Sequence, residues 1–186
     1  GTFPNCWSKI TSSSSSSIPT INVTPTAEYV YSAPNGVTLY GNGADLTDLN
    51  NKLILVSPLL SNVNSGTHRL RFRAKKSSGS SSNHAIRVVA LSSNTANAEI
   101  EVIATIPTTD ITNTFKQFAV NFDNYTGTAT YVGIQRINGS TYSYLSLDDI
   151  SWEPIPACSD LENLTAVNPT INGATISWSV NGATPA

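Results

Sequence analysis

HRLRFRAK, residues 68–75, is the stretch that decides the fold class. Leu70, Phe72 and Ala74 alternate with Arg69, Arg71, Arg73 and Lys75. Successive side chains of a β-strand point to opposite faces, so this spacing sets an apolar row on one side and a cationic row on the other. A helix would scatter both rows around its axis. The segment reads as a strand with one face turned to a core.

The same reading extends outward along the chain. CWSKI, GVTLYG, KLILVSPLL, HAIRVVAL, AEIEVIATI, FKQFAVNF, ATYVGIQRI and YSYLSLDDISWEP are rich in β-branched and aromatic residues, and Gly, Asn, Ser, Pro or Thr fill the breaks. In AEIEVIATI, Ile100, Val102 and Ala104 oppose Glu99, Glu101 and Ile103, which places the first set in the core. SSSSSS at 12–17 and SSGSSS at 77–82 read as solvated loops or hairpin tips. No helical period of convincing length intervenes. Short strands with turn signals every ~8–12 residues predict an all-β, antiparallel two-sheet sandwich.

Composition sets the bounds. The 186 residues suffice for one sizeable core and part of a second unit. Only 12% of them are charged, well below the usual share, a balance that suits a β-rich extracellular protein. A formal net charge of −2 leaves no electrostatic footprint for nucleic acid. No apolar run approaches the ~18 residues of a membrane span. With no Met and no visible signal peptide, the chain reads as a mature or excised fragment.

EPIPACSD, following Trp152, is a Pro-rich break. It divides a sandwich over residues 1–156 from a linker and two strands over 157–186, too short a piece to bury Trp178 by itself. Cys6 and Cys158 lack metal-site spacing. Two readings stand for them: a single disulfide closing a very long loop, or two free thiols.

Taken in order, FPNCWSKI, NKLILVSPLL, HRLRFRAK, TFKQFAVNF and TATYVGIQRING with YSYLSLDDISWEP resemble MAM-like jelly-roll domains of bacterial surface proteins. That group includes the choice-of-anchor J and cleaved-adhesin domains. The tail PACSDLENLTAVNPTINGATISWSV resembles the first strands of a fibronectin type III domain, with Trp178 in the usual core position. The resemblance implies a jelly-roll sandwich in a secreted or surface-bound adhesin or in the accessory region of a secreted hydrolase. It also implies export through the type IX secretion machinery.

Asp148 and Asp149 raise the sharpest chemical question. As neighbours on a strand they are expected on opposite faces, which rules out their flanking one scissile bond as an acid and base pair. A cation is the better expectation, since calcium takes six to eight oxygens and a strand edge supplies carboxylate and carbonyls. The resemblance adds that one Asp of such a pair commonly holds a structural calcium with a first-strand acid preceding the segment matched by Pro4 and Trp7. That position has no counterpart here. Asn42, Asp45 and Asp48 form a second oxygen-rich loop without EF-hand spacing, read as a solvated turn.

Covalent catalysis has little to build on. There are two histidines, His68 and His84, and no G-x-S-x-G elbow, phosphate loop or dinucleotide fingerprint. Binding is the remaining signal, and the expected role is a non-catalytic module for a glycan or a surface protein. Exposed tyrosines can stack on sugar rings, and Tyr142 and Tyr144 share a face, as do Tyr29 and Tyr31. Arg69, Arg71 and Arg73 offer contacts to an acidic polysaccharide or partner; the alternative is a solvated row paired with Glu99 and Glu101. The competing function is a spacer with no ligand of its own.

Overall fold

In the computed structural model, the described residues are 2–14, 16–48, 50–77, 84–137, 142–158 and 161–180, with side chains for all but 161–164, 179 and 180. Their strands are β1 (Ser8–Ser12), β2 (Thr20–Thr24), β3 (Gly36–Tyr40), β4 (Lys52–Val56), β5 (His68–Lys76), β6 (Ala85–Leu91), β7 (Ile100–Ile106), β8 (Lys116–Asn121), β9 (Tyr131–Ile137), β10 (Tyr144–Pro154), β11 (Leu161–Thr170) and β12 (Gly173–Val180). One turn of 3-10 helix, Ala27–Tyr29, is the helical element among the described residues. None is long and apolar enough to cross a membrane.

Two five-stranded antiparallel sheets form the jelly-roll sandwich, in the orders β1-β4-β9-β6-β7 and β2-β3-β10-β5-β8. The inner faces supply the core. Leu70 and Phe72 of β5, with Leu145 and Leu147 of β10, pack with Leu53, Leu55, Ile86, Val88 and Ile134 from the other sheet. Each buried large apolar side chain stabilises the sandwich by about 1.5–3 kcal/mol. The other face of the first sheet carries a smaller cluster around Ile54, Val56, Val89 and Leu91.

The chain separates into two compact units, Gly1–Glu153 and Pro154–Ala186. The second is a β11–β12 hairpin whose register shifts twice. Trp178 of β12 is 56% exposed.

Three local expectations change. The strand TINVT, β2, was not read from the sequence; it is short, lies at a sheet edge and buries only Ile21 fully. KLILVSPLL leaves the sheet at Val56, just before Pro58, which has no N–H to give to a ladder. In β7 the simple alternation fails. A bulge between Val88 and Val89 pairs Val88 with Ala104 but Val89 with Val102. Ile100 and Val102 are thereby turned toward the outer cluster and solvent, while Ile103 packs on the main core.

Candidate functional site

The outer face of the second sheet gathers most of the residues singled out in the sequence. Tyr40 of β3 stands directly opposite Tyr144 of β10 in the ladder. That register stacks the two rings, with centroids 4.6 Å apart and planes 22° from parallel. Tyr29, at the end of the 3-10 turn, adds a third ring 5.1 Å from Tyr144. Tyr142 lies 6.4 Å from Tyr40 and is 75% exposed. Beneath it is Gly43, in a turn at φ +77°, where an added Cβ would sit 3.0 Å from the Tyr142 hydroxyl and 3.2 Å from Cζ. Burial pushes the Tyr29 phenol up, with help from the charge of Glu28, and likewise raises Tyr40 beside Tyr144 and Tyr142.

The segment that carries Tyr29 and Tyr31 folds back over this sheet. Its carbonyl at Tyr29 approaches Gly36 so closely that a Cβ there would collide with it. Asp148 anchors the crossing: Oδ2 accepts the N–H of Tyr31 at 2.7 Å and of Ser32 at 3.1 Å. Its Oδ1 accepts the N–H of Asp149 at 2.8 Å. Asp149 adopts φ +47°, a bulge that shifts the parity of β10. Leu145 and Leu147 face the core before it, Ile150 and Trp152 after it.

The expectation of opposite faces for the two acids is corrected by this bulge. Both carboxylates meet one cluster. Asp149 Oδ2 pairs with Arg73 Nε at 3.2 Å, and the Arg73 guanidinium lies 4.0 Å over the Tyr31 ring whose backbone Asp148 holds. Phe115 extends the cluster, edge-on to Tyr31 and below Lys75.

Arg69 and Arg71 converge on Glu153 of the same β10. Arg69 donates through Nε and Nη2 to Oε1 at 2.9 and 2.7 Å, and Arg71 Nε reaches both oxygens at 3.0 and 3.1 Å. Burial pulls the Glu153 carboxyl up, but hydrogen bonds from Arg69, Ser151 and Arg71 outweigh it and hold the group below its ordinary value. The pairing with Glu99 and Glu101 does not form, because Glu99 precedes β7 and Glu101 lies within it, at the edge of the other sheet. Sequence reasoning missed Glu153 because β10 and β5 are neighbours only in space.

The carboxylates of Asp148 and Asp149 are engaged within the protein. Their oxygens face N–H donors and a guanidinium, and no group of three or more His, Cys, Asp and Glu side chains suited to a metal occurs among the described residues. Asp45 and Asp48 close local turns, accepting from Thr47 and Asn50. Cys6 and Cys158 are exposed free thiols, and they belong to different units.

A buried polar group lies behind the tyrosines. Arg136 of β9 is 1% exposed and His84 fully enclosed. Burial lowers His84 to about 3, with the neighbouring Arg136 and Lys76 charges adding to it, and burial lowers Arg136 to about 10. The sequence carried one signal for it, a lone Arg at an inward position of YVGIQRI.

No family model matches the sequence, and no curated protein matches it. Solved structures do resemble the fold. The K2 cleaved adhesin domain of Lys-gingipain superposes with a TM-score of 0.55 at 16% identity, covering 81% of this chain and 89% of that one. The K1 cleaved adhesin domain of Lys-gingipain from Porphyromonas gingivalis W83 gives 0.53 at 17% identity, over 83% and 94% of the two chains. The xylan-binding CBM22-1 domain from Paenibacillus barcinonensis gives 0.50 at 11% identity, over 82% and 87%. The chain thus shares its sandwich with adhesin and carbohydrate-binding domains.

Proposed function

We propose that the N-terminal sandwich is a non-catalytic, extracellular carbohydrate-binding module whose ligand lies on the outer face of the β2-β3-β10-β5-β8 sheet. One observation carries the reading: Tyr142 is 75% exposed, yet its ring is held against Gly43 and next to Tyr40. An aromatic ring kept open to water at a fixed position is what a pyranose stacks on, with hydroxyl and backbone groups taking the sugar's polar edge. The fold shared with adhesin and xylan-binding domains supports the same class.

The ligand is a neutral polysaccharide. Arg69, Arg71 and Arg73 are engaged by Glu153 and Asp149, so the row that suggested an acidic glycan is largely neutralised. These ion pairs stiffen the sheet beside the platform. The module belongs, in this reading, to a longer secreted adhesin or hydrolase accessory region, with β11–β12 as the opening hairpin of a fibronectin type III domain. Type IX export rests on the sequence resemblance alone.

Affinity electrophoresis against neutral gels (xylan, mannan, β-glucan) and acidic ones (alginate, polygalacturonate) tests the proposal. Retardation by a neutral gel, weakened at least tenfold in Tyr142→Ala, is expected; that factor corresponds to about 1.4 kcal/mol. Migration unaffected by every gel would leave the spacer reading in its place.

A further inference from the structure

The tyrosine platform is held from inside the sandwich. Arg136 points inward from β9, opposite Ile86 of the core. Its Nη1 donates to the carbonyl of Leu39 at 3.0 Å and to that of Ser143 at 2.7 Å. Its Nη2 reaches Ser143 Oγ at 3.3 Å, and that hydroxyl lies 3.2 Å from His84 Nε2. Leu39 immediately precedes Tyr40, and Ser143 sits between Tyr142 and Tyr144. One buried guanidinium therefore grips the backbone beside three of the four clustered tyrosines.

The choice of residue is informative because it is costly. Taking a cation out of water costs several kcal/mol unless it is well paired, and an apolar side chain of similar volume often serves a core as well or better. Among the described residues no carboxylate is bonded to Arg136, and its Nε has no partner. Its described bonds run to one backbone carbonyl of β3 and to Ser143, just ahead of β10. Tyr142 and Ser143 lie outside the β3–β10 ladder, which begins at the Tyr144–Tyr40 pair. The place of Tyr142 is therefore set outside that ladder, and the guanidinium ties its neighbour Ser143 to the core.

We propose that Arg136 is the positioning residue of the glycan platform, setting the place of Tyr142 relative to Tyr40 and Tyr144 through the carbonyls of Leu39 and Ser143. This rests on the carbohydrate reading for its purpose but not for its geometry. The test uses the full chain with Arg136→Met, which fills the core and removes every donor, and Arg136→Lys, which keeps the charge and fewer donors. Fluorine NMR of fluorotyrosine-labelled protein reports Tyr142 without any ligand, its resonance assigned with Tyr142→Phe.

For Arg136→Met the expected result is a folded protein with a shifted or broadened Tyr142 resonance and at least tenfold weaker retardation by the neutral gel that retards the wild type. Arg136→Lys should fall between the two. A merely structural arginine would move stability and leave both readouts alone. Folded variants with the wild-type Tyr142 resonance overturn the proposal. So does failure of both variants to fold, which would make the guanidinium a folding requirement. If no gel retards the wild type, the carbohydrate reading fails, and the Tyr142 resonance still decides the role of Arg136.

Discussion

Asp148 accepts the backbone N–H of Tyr31 at 2.7 Å across a separation of 117 residues. The next residue, Asp149, pairs with the Arg73 guanidinium that covers the ring of the same Tyr31. Two adjacent acids thus act as scaffold for one aromatic cluster, one through the backbone and the other through a cation.

Replacing Asp148 by Ala leaves the N–H groups of Tyr31, Ser32 and Asp149 without their shared acceptor. Hydrogen bonds to a charged group contribute about 1.5–3 kcal/mol, so urea denaturation should show a loss of that order. Asp148→Asn retains one acceptor oxygen and should lose less. Equal midpoints for Asp148→Ala and wild type would contradict the anchoring role.

The donors around Asp148 and Asp149 also predict indifference to calcium. The melting temperature of EDTA-treated protein should not move when calcium is added, since ligand binding to the native state would raise it. A calcium-dependent rise that Asp148→Ala abolishes would show that these acids take a metal.

Glu153 carries its own pH signature. Its folded-state pKa lies below the ordinary 4.5, so its stabilisation is present above that value and is lost as pH falls through the depressed one. Glu153→Gln should remove this component and take from Arg69 and Arg71 the carboxylate they share. Weak, salt-sensitive retention on an anionic polysaccharide column is then expected for the variant beyond that of wild type. Identical elution of the two proteins would refute the neutralising role.

His84 gives a second pH dependence with the same sign. Its folded pKa of about 3 lies below the ordinary 6.5. Between these values the unfolded chain binds a proton that the folded one refuses, so stability falls as pH drops from 6.5 toward 3. The slope approaches about 1.4 kcal/mol per pH unit at most. His84→Gln should flatten the acid limb over pH 6.5–5, where carboxylates contribute little. An unchanged slope would place the proton uptake elsewhere.

Gly43→Ala combines two effects at one position. The left-handed φ of +77° disfavours a side chain, by roughly 1–2 kcal/mol. The added methyl also presses on the Tyr142 hydroxyl and ring. Weaker glycan binding at a modest stability cost is expected, whereas a wild-type affinity would mean that Tyr142 does not stack on the ligand where it now stands.

The alternation in HRLRFRAK was enough to specify a two-faced strand with Leu70, Phe72 and Ala74 in the core, because a period of two is a local property of the extended chain. Tyr142 and Tyr144 could be placed on one surface for the same reason. The lateral order of strands has no such local code. Only the folded chain sets β10 between β3 and β5, which brings Glu153 to the arginines and stacks Tyr40 on Tyr144. Bulges lie beyond the pattern as well: one left-handed residue at Asp149 and one extra residue opposite Val88 and Val89 reverse which side chains face inward. Short-range sterics dictate each strand, while burial and pairing between residues far apart in the chain decide what each strand's outer face meets.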